Sequence, residues 1–529
     1  MSRWRWVVMA TLAYSGSPFA NGCYSAPYDC RPVGDIAPDT GHSYAERARA
    51  YAQFAWQDFM ALNFPAATGA DGHPLPEPST MRGLDDHAGC YTAVWQVYPE
   101  ARDLFRPGGQ PPAQPFGSGH DVPDICIAAG RAARLSAFRR RRDRLGDNMV
   151  LDEYIQADLM GPVIDSSGHY VRYGIHFNRP MFNYIVGNQL YSQEGQSQFD
   201  AHDLHRDHSK VHFPRGRYDA TVGSIFIKAA WKILDAHDDP LTFYRVRAYV
   251  YDAPGGAFHD EPTVTAHCEV RTMGLVGFHI VHFTQSAPQG VWSTFEHRDN
   301  APWLADFKMG TPVRPYSFFN PTRCPSVSGQ PACRYNVLPP QPWNPQRPGQ
   351  APTQLVRIAA PGAWAIEANR AVRRALRQYE GQTVWDHYFL VDVQFPTAGK
   401  SADASGRADP DGAPTPTLLA NTTMETYIPG FHAREQTTNG KAVPSDDRMT
   451  GVVLAPGPVD PWQPRQFNRA GGAPRVTSSC IGCHLDASMA TGAAGDFVFA
   501  LDRAQRLAPV RNSGDVSLQR LERTLAPAL

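Results

Sequence analysis

No run of about eighteen apolar residues occurs in this chain, which excludes a helix able to span a bilayer. Charge of one sign is also missing. Fifty Lys and Arg stand against 51 Asp and Glu, a formal net charge of −1, so no global field favours nucleic acid or an anionic membrane. There is no internal repeat, which argues against a solenoid or propeller. What is present is 529 residues at 42% hydrophobic, enough for a substantial core in two or three domains, with 47 Pro and 44 Gly that imply many loops.

The N-terminus reads Met-Ser-Arg-Trp-Arg, a brief apolar stretch from Trp6 to Tyr14, then small residues up to Ala20 and Gly22. A basic start, a short apolar core and a small-residue end predict a secretory signal over residues 1–22, and hence a soluble, exported product in the periplasm of a Gram-negative-type bacterium. Cys23 directly after Gly22 raises a second reading, a lipid anchor on that thiol, although the usual leucine three residues earlier is absent. In an oxidising compartment the cysteines are expected to pair. The short spans between Cys23 and Cys30 and between Cys324 and Cys333 are candidates, with Cys90 and Cys126 a third that leaves Cys268 buried and free. Connectivity itself is not readable from sequence.

Tyr44, Ala48, Tyr51, Ala55, Phe59 and Leu62 recur at steps of three and four, predicting an amphipathic helix over 43–64 that Pro65 ends. Strands are expected over 223–231, 243–251, 268–283, 291–297, 387–395 and 417–428, and helices over 366–379 and 515–525. The segments 252–266, 310–356 and 397–416 read as long surface loops. The pattern is that of an α+β fold, a mainly antiparallel sheet body with peripheral helices and long loops. It divides into a helical and loop region at 23–165, a β-rich body at 166–440 and a C-terminal segment at 441–529.

That last segment holds Cys480-Ile-Gly-Cys-His484, and the Cys-x-x-Cys pattern occurs once. Two thiols three positions apart followed by an imidazole form the attachment sequence of one c-type haem, with Cys480 and Cys483 as thioether anchors and His484 as axial ligand of the iron. The competing readings are a chance match, a thioredoxin-like redox pair and half a zinc site. A redox pair belongs between a strand and a helix near the start of a domain, and zinc needs two further ligands that no second pair supplies. Export, which haem attachment requires, is implied independently by the N-terminus.

Little sequence follows His484, and its only Met or His is Met489, too close to reach across a haem. The second face must therefore be covered from upstream or left without a protein ligand. Met424, in a Thr-rich stretch, and His279, His282 or His297, on strands, are the candidates; packing is the default role of the methionine and hydrogen bonding in the core that of the histidines. His202, His205, His208 and His212 are spaced like one helical face, yet so polar a stretch reads as solvated surface rather than a zinc or copper site. Arg139 to Arg142 with Arg144 likewise reads as a solvated face, or as a docking patch for an acidic redox partner.

The motifs Phe54-Ala-Trp-Gln-Asp-Phe-Met-Ala-Leu-Asn63, Gly223-Ser-Ile-Phe-Ile-Lys-Ala-Ala-Trp231, His279-Ile-Val-His282, Val291 to Pro302, Leu419 to Tyr427 and Ser479 to His484 together resemble a family of large bacterial cytochrome c proteins with one haem. The tail, with Asp496-Phe-Val-Phe499 shortly after the haem motif, resembles the sheet-based cytochrome c′-beta proteins and their hydroxylamine-oxidising relatives. The second resemblance implies a five-coordinate iron with an open face against a β-sheet, and in some members a lysine crosslinked to the haem edge, for which Lys228 is the nearest analogue. Two functions follow as expectations. One is electron transfer to a redox partner protein; the other is a haem oxidoreductase or binder of a small ligand of the nitric oxide type.

Overall fold

The computed structural model describes residues 28–38, 44–79, 91–136, 145–155, 161–201, 211–253, 265–308, 313–347, 349–357, 361–379, 383–396, 419, 421–427, 437–438, 441–442, 480–484 and 487–507. Its centre is a seven-stranded sheet of β1 (Leu145–Leu151), β2 (Arg172–Phe177), β3 (Ile225–Ile233), β4 (Arg245–Asp252), β5 (His267–His282), β6 (Val291–His297) and β7 (Tyr388–Gln394). The order β7-β6-β5-β3-β2 is antiparallel throughout. The long β5 also pairs with β4 through its first half, and β4 pairs with β1 in parallel, the one parallel strand pairing of this sheet among the described residues. The fold is α+β, as the sequence pattern implies.

Alternation along β3 sends Ile225, Ile227, Ala229 and Trp231 to one face and Phe226, Lys228 and Ala230 to the other. The first face is covered by α1 (Tyr44–Leu62), whose Phe59 ring stacks on Phe295 of β6 at 4.2 Å and meets Phe278 of β5 edge-on. Beside α1 lies α4 (Ala363–Tyr379), which packs on β7 through Asn369 and is joined to α1 by the Trp56 indole N–H donating to Asn369 Oδ1 at 2.9 Å. Packed against both the sheet and α4, α1 buries Tyr51, Phe54, Trp56, Phe59 and Met60 together. Each such side chain contributes about 1.5–3 kcal/mol on burial. The second face carries the C-terminal residues. Ile481, Met489, Phe497, Val498 and Leu501 share one apolar cluster with Phe226, Val281 and Trp292.

Several expectations need correction. Residues 421–427 form consecutive turns rather than a strand, because the Asn421 carboxamide accepts from both the N–H and the hydroxyl of Thr423, a local alternative to a ladder. Cys126 of α2 (Asp124–Ser136) is bonded to Cys268, which is therefore not free; α2 lies across the start of β5 and brings the two thiols together. Cys324 does pair with Cys333, and Cys30 is disulfide-bonded to a partner outside the described residues. Strand β2 and the following α3 (Arg179–Gly187), capped by Asn178, were not expected; Arg-Tyr-Gly-Ile-His-Phe neither alternates nor runs apolar. Residues 1–22, Cys23, Cys90, Arg139 to Arg144, His202, His205, His208 and the helix expected over 515–525 lie outside the described residues. Among the described residues, no helix is long and apolar enough to cross a membrane.

Candidate functional site

His484 ends α5 (Cys480–His484), one helical turn seated on the second sheet face. The turn is fixed at its start: the Ile481 N–H donates to Gln394 Oε1 at 3.0 Å, and the Cys480 thiol donates to the Leu419 carbonyl at 3.3 Å. Its end is enclosed by aromatic rings. The His484 imidazole lies 4.5 Å from Trp292, 5.0 Å from Phe499 and 6.3 Å from Phe226. The side chain of Cys483 falls outside the described ones.

One hydrogen bond sets the chemistry of this ring. His484 Nδ1 lies 2.8 Å from the Phe497 carbonyl oxygen, which can only accept, so Nδ1 carries the hydrogen and Nε2 the lone pair. Burial lowers the pKa to about 4, with Lys228 and His279 pushing in the same direction, so the ring is neutral across the physiological range. The carbonyl is aimed by unusual backbone. Asp496 and Phe497 both adopt the left-handed region, φ 47° and 67°, which for two successive non-glycine residues costs of order 1–3 kcal/mol each. The conformation is held by Arg215, whose Nη1 and Nη2 each donate to Asp496 at 2.9 Å, and by the Phe213 N–H donating to Asp496 Oδ2 at 2.8 Å.

Beside the imidazole the sheet changes from apolar to charged. One step along from Phe226 and Val281, Lys228 and His279 stand directly opposite each other on β3 and β5. Glu425 closes the group. One of its oxygens lies 2.9 Å from His279 Nε2, and the other accepts from the Asn421 N–H at 2.8 Å. Burial raises the Glu425 carboxyl, but His279, Lys228 and the Asn421 N–H outweigh it and hold the pKa below the usual glutamate value. The Lys228 ammonium lies 5.1 Å over the Tyr173 ring. Lys228, His279, Glu425, Cys480 and His484 are all partly exposed and Phe499 is exposed, whereas the Phe226 and Trp292 rings beneath them are buried.

Of the residues expected at the second face, Lys228 and His279 therefore stand in the charged group on the His484 side, and His282, His297 and Met424 do not. His282 points to the α1 side, with Nδ1 2.7 Å from Asp58 and its ring against Phe54. His297 shares that side, where Nε2 donates to the Thr242 carbonyl at 2.9 Å and the ring stacks on Phe243. Both face away for one reason: they stand an odd number of positions along their strands from His279 and Glu296, which face the α5 side. Met424 is fully buried in a separate cluster with Val163, Val171, Tyr173 and Val276. Sequence reading missed Glu425 as a partner of His279. Its only sequence signal is its place in the segment 419–427, which is pinned to the sheet by Thr422 and Asn421.

The residues present fit a c-type haem. The imidazole is held in the tautomer that leaves Nε2 for a metal, its other nitrogen is bound to a carbonyl as in metal-ligating histidines generally, and partly exposed polar groups stand next to the attachment turn. No family model matches this chain, and comparison with curated proteins and with solved structures returned no match.

Proposed function

We propose that this chain is an exported, periplasmic c-type haem protein acting as an oxidoreductase or binder of a small polar ligand. Cys480 and Cys483 would hold one haem covalently, with His484 Nε2 as axial ligand. The observation that carries the reading is the His484–Phe497 hydrogen bond, which combines the attachment sequence with an imidazole already oriented and neutral. Bound haem supplies one-electron chemistry and a site for an axial ligand. The chain's own residues do the rest. The Phe497 carbonyl raises the basicity of the imidazole, and the buried Phe226 and Trp292 rings shield the side of it that faces the sheet. Lys228 and the His279–Glu425 pair offer positive charge and a group that exchanges protons, which a reaction on a small nitrogen or oxygen compound uses and a simple electron carrier does not. The bonded Cys126–Cys268 and Cys324–Cys333 pairs suit an oxidising compartment.

Electron transfer to a partner protein is the second reading, supported by the same attachment turn. The test is a spectrum of the purified exported protein with and without carbon monoxide. Haem that survives a denaturing gel and a ferrous spectrum that shifts with the gas are expected. A low-spin spectrum unmoved by carbon monoxide selects the electron carrier, and absence of covalent haem overturns both readings. Replacing Lys228 by Met is expected to alter ligand affinity at least tenfold while haem content stays the same.

A further inference from the structure

Across β2 from the α5 side, three titratable side chains meet out of solvent with no role in the site above. Glu100, His120 and His176 each offer one ligand atom, all within 4.8 Å of one another, and all three residues are at least nine-tenths buried. The two imidazoles are arranged alike. His176 Nδ1 lies 3.0 Å from the Tyr98 carbonyl, and His120 Nε2 lies 3.0 Å from the Gln96 carbonyl. A carbonyl only accepts, so each ring spends a hydrogen there and turns its other nitrogen inward. The inward atoms, His176 Nε2 and His120 Nδ1, are each 4.0 Å from the same atom, Glu100 Oε1.

That distance decides among the possibilities. It is too long for a hydrogen bond. A tetrahedral ion with bonds of about 2.1 Å sets its ligand atoms roughly 3.4 Å apart, so each imidazole nitrogen closes on Glu100 Oε1 by about half an ångström to share one. Glu100 Oε1 and His176 Nε2 have no hydrogen-bond partner, which is costly at full burial. Asp103 supplies a further oxygen: Oδ2 sits 2.7 Å from His120 Nδ1 and also accepts from the Glu100 N–H, while Oδ1 accepts from the Asp121 N–H. Asp103 also lines a surface cavity with Pro99, Gly119 and Asp121, which makes it the member of the group nearest solvent.

We propose that Glu100, Asp103, His120 and His176 form a structural site for a divalent transition ion of the zinc class. Two imidazoles and two carboxylates make a closed, neutral four-ligand set, and the Gln96 and Tyr98 carbonyls orient the rings. On binding, the ion takes the place of the proton between His120 Nδ1 and Asp103, and that proton and any on the Glu100 carboxyl leave to solvent. The site ties the 96–121 segment to β2, whose neighbouring Phe177 packs in the cluster beneath α5.

The test uses the full exported chain with its haem, stripped with chelator, incubated with zinc or cobalt(II) and freed of excess ion. One zinc per chain beyond the haem iron is expected, together with the intense visible bands of tetrahedral cobalt and a thermal midpoint raised by zinc. Glu100→Gln and His176→Gln should each weaken zinc binding at least tenfold and abolish the zinc-dependent rise in midpoint. X-ray absorption on the zinc-loaded wild type should show two imidazole nitrogens and two oxygens, a readout that stands even if a variant fails to fold. No zinc retained by the folded wild type, a different ligand set, or folded variants that keep the ion would overturn the proposal.

Discussion

Asp496 occupies backbone that glycine or asparagine would enter more easily, and keeps it through three hydrogen bonds to Arg215 and the Phe213 N–H. Asp496→Ala removes all three while leaving the strain, and is expected to lower stability by about 2–3 kcal/mol and to release the Phe497 carbonyl from His484. Asp496→Asn tolerates the left-handed region and retains an acceptor, so it should lose less; equal losses in chemical denaturation would refute this account. His297 makes a prediction about pH. Burial depresses its pKa to about 3 from an ordinary 6.5, against an opposing pull from Asp299, with His387 and Arg298 adding to the depression. The unfolded chain therefore binds a proton at this residue below 6.5 that the folded chain refuses until about pH 3, so stability rises with pH across that window and levels off above it. The urea midpoint of a His297→Gln variant should depend less steeply on pH between those values, and an unchanged slope would remove His297 from the explanation. Residue identity alone did not reveal these roles, because a histidine's burial and partners are set by the strand face it occupies.

The strands at 225–233, 267–282, 291–297 and 388–394 and the helix at 44–62 were legible, because periodicity and terminators such as Pro65 are local. The 421–427 segment was not: its Thr-rich composition suits a strand, yet its side chains bind the neighbouring sheet and one another. That packing leaves no room at Gly277 of β5, where an added Cβ would stand 2.5 Å from Thr423 Oγ1 and 2.9 Å from Asn421 Oδ1. Gly277→Ala is expected to push the segment off the sheet, costing about 1–3 kcal/mol and separating Glu425 from His279. A thermal midpoint equal to wild type would show that the segment yields without cost.

Across the whole molecule, the Cys126–Cys268 disulfide joins α2 to β5 over a sequence separation of 142 residues. Removing it as the Cys126→Ser, Cys268→Ser double variant is expected to cost about 4 kcal/mol through restored freedom of the unfolded chain. The Cys324→Ser, Cys333→Ser pair, only 9 residues apart, should cost less, and the reverse order in denaturant midpoints would contradict the loop-length argument. The amino-acid sequence by itself determined the α+β class, most strands of the sheet and the one Cys-x-x-Cys-His turn, since each is written in contiguous residues whose spacing and chemistry are local. Tertiary structure alone decided which strand face each side chain takes, so that Lys228 stands beside His279 on the α5 face while His282 meets Asp58, and which distant cysteines pair. It also gathered Glu100, His120 and His176 from separate segments. Such contacts follow from register and packing, where a shift of one residue reverses every side chain on a strand.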